Sequence, residues 1–142
     1  MPFKVLLIED NHDDAQLISI ALKDSKILIN LNVVEDGIEA MAFLLKQEKY
    51  ALAPRPDLVL LDLDLPQKDG WSVLTGIKTN VTLRRIPVVV LATSPSEEDM
   101  IKAYDLAASS YIIKPVEFEQ WMEIMQLVKK FWFVTVKLPP KS

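Results

Sequence analysis

The sequence predicts an α/β domain in which a five-stranded parallel sheet lies between layers of helices, a doubly wound arrangement. Three observations carry that expectation. Short apolar runs alternate five times with stretches of helical periodicity, each pair occupying about 20 to 30 residues, the cadence of repeated βαβ units. The run Leu58 to Leu61 is unbroken by any polar side chain, which suits a strand covered on both faces better than a half-wet one. Turn-forming residues, among them Asp36-Gly37, Pro54, Pro56, Pro66, Asp69-Gly70 and Pro87, fall between the runs.

The totals narrow the function. A chain of 142 residues with 50% hydrophobic content forms one domain and can bury a full core. Its net charge of -4 and pI near 5.0 argue against a general binder of nucleic-acid backbone. With no cysteine and the single histidine His12, neither a disulfide framework nor a thiolate or histidine metal site is expected. The chain opens with Pro2-Phe3-Lys4 and carries no leader and no apolar run near 18 residues, so it is expected to be cytoplasmic and not associated with membranes.

Phe3 to Ile8 reads as the first strand, ending on Glu9-Asp10-Asn11. Asn11 or Asp13 can cap the next helix, whose apolar positions Leu17, Ile18, Ala21 and Leu22 recur at helical spacing. Ile27 to Val34 is the second strand, and Asp36-Gly37 turns into a helix bearing Ile38, Met41, Ala42, Leu44 and Leu45. The third strand delivers Asp62 to its end, where Pro66, Asp69 and Gly70 stop it before a helix with Trp71, Val73, Leu74 and Ile77 inward. Val88 to Leu91 is the fourth strand, ending at Ala92-Thr93. Ser94-Pro95-Ser96-Glu97 has the form of a capping box and predicts a helix from Ser94 to about Ala107. Ser110 to Ile113 is the fifth strand, closed by Lys114-Pro115, and Glu117 to about Trp132 is the last helix.

Ligands of open α/β sheets collect beyond the carboxyl ends of the strands. If strands one, three, four and five are neighbours, Glu9, Asp10, Asp62 and Lys114 emerge on one edge. Clustered carboxylates raise one another's pKa unless a cation neutralises them, and oxygen ligands with room for water suit Mg²⁺. A carboxylate beside such an ion can attack phosphorus and form an aspartyl phosphate while the lysine offsets charge on the transferring group. Thr93 or Ser94 is the candidate for one further donor, a hydroxyl or backbone N–H.

Ile8-Glu9-Asp10-Asn11, the stretch from Asp57 to Gly70, and Tyr111-Ile112-Ile113-Lys114-Pro115 together resemble the receiver domain of two-component response regulators, over roughly residues 3 to 130. The resemblance implies a flavodoxin-like strand order, 2-1-3-4-5, with a receiver domain at 1–130 and an apolar C-terminal extension at 131–142. It implies that Asp62 accepts a phosphoryl group from a sensor histidine kinase, that Asp10 and Asp62 ligate Mg²⁺ by their side chains, that Glu9 assists through water, and that Asp64 offers its carbonyl. Lys114 would contact the phosphoryl group, Tyr111 matches the aromatic switch position, and Lys114-Pro115 would carry a cis peptide. A Leu-Asp-Leu-x-Leu-Pro-x-Lys-Asp-Gly stretch and an apolar tail, Phe131 to Pro139, are similar to the small regulators paired with cyanobacterial phytochromes, which implies a light-responsive kinase as donor.

One departure stands out. The family's switch threonine or serine falls on Ala92, with Thr93 the next residue, so the hydroxyl that would pull on the phosphoryl oxygen is missing unless a bulge brings Thr93 in. The chain is expected not to be an enzyme. Two other readings compete: a receiver-like interaction module that no longer uses phosphate, and a phosphatase of haloacid-dehalogenase type, which Asp62-Leu63-Asp64 matches locally. Singly, Asp10 or Asp62 could be a helix cap and Lys114 a solvent lysine; Tyr111 could be plain strand packing, His12 is read as solvated, and Asp13 and Asp14 as cap and surface. In the last helix Phe118, Trp121, Met122, Met125 and Val128 make one apolar face, and Ile124, Leu127, Phe131 and Trp132 a second, rimmed by Glu123, Lys129 and Lys130. This predicts a homodimer through the last helix and tail, with Trp121, Phe131 and Trp132 in the contact; the alternative is a tail folded back over its own protomer.

Overall fold

The computed structural model describes residues 2–24, 26–66 and 69–140. Five strands, β1 (Phe3–Ile8), β2 (Ile29–Val34), β3 (Leu58–Asp62), β4 (Val88–Ala92) and β5 (Ser110–Ile113), form one sheet in the order β2-β1-β3-β4-β5. All four pairings are parallel, with Leu7 opposite both Val33 and Leu60, and Asp62 opposite Leu91. Helices α1 (His12–Lys23), α2 (Gly37–Leu44), α3 (Asp69–Thr79) and α4 (Glu97–Asp105) supply the crossovers, and α5 (Phe118–Lys130) follows the last strand.

The sheet divides the core in two. Leu6, Ile8, Val59, Leu61, Val88, Val90 and Ala92 pack with Val73, Leu74 and Ile77 of α3, Phe43 of α2 and Ala103 of α4. Val5, Leu7, Leu58, Leu60, Val89 and Leu91 pack with Ile18, Ala21 and Leu22 of α1 and Trp121, Met125 and Val128 of α5. Alternate residues of each central strand therefore face opposite layers, which is why β3 and β4 are apolar at nearly every position. The edge strand β2 is different: Asn30 and Asn32 interrupt it, and it is buried only at Val34.

Several boundaries differ from expectation for local reasons. β2 starts at Ile29, where its pairing with Phe3 begins, and the Leu28 carbonyl just before it accepts from Phe3 N–H at 2.9 Å. α4 starts at Glu97, capped by Ser96, whose hydroxyl accepts from Asp99 N–H at 3.3 Å; Ser94 turns its hydroxyl to Ser96 N–H instead. Two capping frames overlap in this stretch and the second prevails. Asn11 caps α1 by accepting from Asp14 N–H at 3.0 Å. The Lys114-Pro115 peptide is trans, contrary to the expected cis bond. Beyond α5, Phe131–Thr135 continues as a π-helical turn, and Phe133 is buried with its ring stacked on Phe3 at 4.4 Å. The residues from 131 thus grow directly out of α5.

Trp121 is 2% exposed and belongs to the core of its own protomer, which corrects its assignment to a dimer contact. Lys129, expected at the rim, is also buried: its ammonium donates to the Ala21 carbonyl at 2.9 Å and the Asp24 carbonyl at 3.2 Å. A helix leaves its last carbonyls without partners, and here a cation supplies them. Burial lowers the Lys129 pKa, with Asp24 opposing.

Gly70 fixes the exit of β3. A Cβ there would lie 2.7 Å from the Asp62 carbonyl oxygen and 2.7 Å from Leu63 Cα, so only glycine lets α3 close onto the strand end. Gly70→Ala should cost about 1–3 kcal/mol by forcing backbone apart, measured by urea unfolding; an unchanged midpoint would show that the junction yields freely.

Candidate functional site

The site lies where the strand order reverses. β1 is flanked by β2, whose following helix lies on one face of the sheet, and by β3, and ligands of such sheets gather in the crevice beyond those strand ends. Glu9 and Asp10 follow β1 directly, and the Glu9 N–H still donates to the Val34 carbonyl at 3.0 Å, so the ladder holds the first acid in place. Asp62 is the last residue of β3, 1% exposed, and its Oδ1 accepts from Asp64 N–H at 2.8 Å. That bond fixes the plane of the carboxylate.

Lys114 reaches in from the end of β5, its backbone N–H bonded to the Ala92 carbonyl at 2.8 Å. Its ammonium lies 2.9 Å from Glu9 Oε1, 3.2 Å from Asp14 Oδ2 and 3.3 Å from Asp62 Oδ2. Burial alone would lower its pKa, but Glu9, Asp62 and Asp14 together raise it, and it is firmly charged. Glu9, fully buried, is the strained partner. Its carboxyl is pushed up to about 8, by burial first and by neighbouring Asp62 next, with Lys114 drawing it partly back.

Glu9, Asp10 and Asp62 each present a carboxylate oxygen, and the three oxygens lie within 4.8 Å of one another. Glu9 Oε1 is shut away from solvent and faces the Lys114 ammonium at 2.9 Å as an ion pair without good hydrogen-bond alignment, so its charge is only partly answered. One lysine cannot balance this many acids, and the set of hard oxygen donors with Asp10 at the open side fits a small divalent cation that keeps some of its water.

The remaining expected residues take other places. The Asp64 carboxylate is directed to β4, where its Oδ2 accepts from Thr93 N–H at 2.8 Å, tying the loop after β3 to the loop after β4. Ala92 ends β4 in unbroken register with Ile113, so no bulge draws Thr93 inward, and Thr93 is exposed. The Tyr111 hydroxyl donates to the Ser94 carbonyl at 2.9 Å and its ring packs on the core. His12 is exposed and meets Glu35 at 2.5 Å. Asp14 corrects a reading: not a surface residue alone, it is the third acid on Lys114. The available signal was its place in the first turn of α1, the turn that follows directly on Glu9 and Asp10.

Comparison with known proteins agrees with this geometry. A family model described as the response regulator receiver domain matches residues 5–126. Response regulator Rcp1 of Synechocystis sp. is 46% identical over 138 residues, 97% of this chain and 94% of that protein. The Mn²⁺-bound form of Rcp1 superposes with a TM-score of 0.92 at 45% identity, covering 98% of this chain and all of the other. The phosphorylated cyanobacterial phytochrome response regulator RcpA gives a TM-score of 0.94 at 46% identity, covering 99% of this chain and all of the other. Among the described residues, no helix is long and apolar enough to cross a membrane.

If the three carboxylates act as one cation site, Asp10→Asn should weaken Mg²⁺ or Mn²⁺ binding by more than about tenfold, read by titration calorimetry. Equal affinity in wild type and variant would rule out the cluster as the binding site.

Proposed function

The chain belongs to the receiver-domain family of response regulators, and from that premise we propose that it accepts a phosphoryl group on Asp62 from a sensor histidine kinase. The observation that carries this reading is the buried ammonium of Lys114 lying 3.3 Å from Asp62 Oδ2 beside two further acids. In the transfer, an Asp62 carboxylate oxygen attacks phosphorus, a P–O bond forms as the P–N bond to the donor histidine breaks, and the departing imidazole takes up a proton. The Asp64 N–H orients Asp62, and Lys114 stands ready to pair with a phosphoryl oxygen once it lets go of Asp14. Mg²⁺ bound by Glu9, Asp10 and Asp62, with Asp64 contributing its carbonyl, would supply positive charge against the phosphoryl oxygens. Similarity to RcpA supports a phytochrome as the donor kinase.

The response to phosphate is set by Ala92. A methyl group at the end of β4 offers the phosphoryl oxygens no hydroxyl, and Thr93 has its N–H committed to Asp64. Tyr111 already bonds the β4–α4 loop through Ser94, without a hydroxyl at Ala92 to draw that loop inward. We read this as phosphorylation that is weakly coupled to conformational change. A module that binds partners without phosphate is the second reading, and the same alanine favours it.

A second copy of the chain is the proposed partner at α5. Leu127, Phe131 and Val134 are 67%, 49% and 63% exposed, an apolar patch on the outer side of the helix and its π turn, while Phe133, Leu138 and part of Trp132 fold back on the protomer.

Treatment with acetyl phosphate and Mg²⁺ should add one phosphoryl mass to the wild type and none to Asp62→Asn; continuous phosphate release from many monoesters would instead favour a phosphatase. Ala92→Thr should leave the labelling rate within about twofold while enlarging the phosphate-dependent change in amide exchange around α4, and identical exchange in both proteins would make the alanine irrelevant. In sedimentation, Leu127→Glu with Phe131→Glu should convert a dimer to a monomer, and a wild type that is already monomeric removes the dimer.

A further inference from the structure

The chain has three arginines, and all three line one crevice. Arg55 comes from the loop before β3, and Arg84 and Arg85 from the loop before β4, so the crevice sits at the amino edge of the sheet. The acidic pocket lies at the carboxyl edge, one five-residue strand away, or on the order of 15 Å. The three guanidinium groups thus lie at the end of the sheet opposite Glu9, Asp10 and Asp62.

The cluster is built rather than incidental. Asn80 organises the second loop, its Oδ1 accepting from Thr82 N–H at 2.8 Å, Thr82 Oγ1 at 2.7 Å and Leu83 N–H at 3.2 Å. The half-buried Lys78 ammonium braces the same loop from beneath by donating to the Arg84 carbonyl at 2.9 Å and the Ile86 carbonyl at 2.7 Å. Arg55 joins the two loops through a bond from Nη1 to the Thr82 carbonyl at 2.5 Å. Asp57 in the adjoining crevice accepts from Lys4 N–H at 2.8 Å through its Oδ2.

We infer that this crevice, of about 320 Å³ and lined by Arg55, Val81, Thr82, Arg84 and Arg85, binds the phosphoryl group of a small molecule. The volume is at the lower end of small-ligand sites. Planar guanidinium forks match oxyanions by paired hydrogen bonds, and a cluster of three positive charges answers a phosphoryl dianion with three acceptor oxygens better than a single carboxylate. Loops already held by Asn80 and Lys78 lose little freedom on binding. The site is independent of phosphorylation at Asp62.

Titration calorimetry of the full chain with inorganic pyrophosphate, in Mg²⁺-free buffer of low ionic strength, tests the assignment. Wild type and Asp62→Asn should bind one equivalent alike, and Arg84→Ser with Arg85→Ser should bind more than about tenfold more weakly. Arg84→Gln with Arg85→Gln serves if the serine pair does not fold, and each variant's thermal midpoint is compared with wild type. Arg55→Lys, which keeps the charge and loses the fork, should also weaken binding. The assignment is overturned by absence of saturable binding to wild type below about 10 mM, by equal binding in the arginine variants, by loss of binding in Asp62→Asn, or by citrate binding as tightly as pyrophosphate.

Discussion

Burying acids is expensive unless charge is returned to them, and this domain buries two, Glu9 and Asp62, at the point where its sheet changes direction. The single ammonium of Lys114 holds them together with Asp14, and the ladder between β1 and β2 prevents Glu9 from swinging out to water. One ammonium faces three acids, and the raised carboxyl of Glu9 follows first from its burial and then from Asp62 beside it. A pocket held slightly anionic by packed strands favours a cation, and an incoming phosphoryl group would be attracted only once such a cation and the Lys114 ammonium outweigh the acids.

Much of this was legible from residue types because the constraints are local. Unbroken apolar runs mark central parallel strands, and acids immediately after such runs mark the carboxyl edge, which makes Glu9, Asp10 and Asp62 recognisable by their place in the sequence. What could not be read depends on which residues meet across the fold. The two faces of β3 and β4 are equally apolar, so nothing in Leu58 to Leu61 says which side chain meets α3 and which meets α5. Asp14 looks like any first-turn acid until β5 sets a lysine beside it. Lys129 looks like a solvent charge until α1 ends beneath it, and Trp121 looks like a contact residue until the sheet covers it. Ser94 and Ser96 both satisfy a capping pattern, and only the path out of β4 selects between them.

The loop after β4 carries no hydroxyl on Ala92 and is secured through Thr93 to Asp64 on one side and through Ser94 to Tyr111 on the other. Both bonds use backbone groups of the loop, so they depend on its path more than on its side chains. The two loops that border the pocket are thereby stitched to each other, and α4 begins from an anchored position.

Helix α1 is gripped at each end by a lysine from the far end of the chain. Lys114 holds Asp14 in its first turn, and Lys129 closes the carbonyls of its last. The two grips differ in kind: the first is an ion pair that competes with other anions, the second a set of buried hydrogen bonds that does not. Withdrawal of the Lys114 ammonium toward an incoming anion would free the leading tip of the helix alone. Its trailing tip would then serve as a pivot, and α1 would tilt against α5 instead of sliding along it.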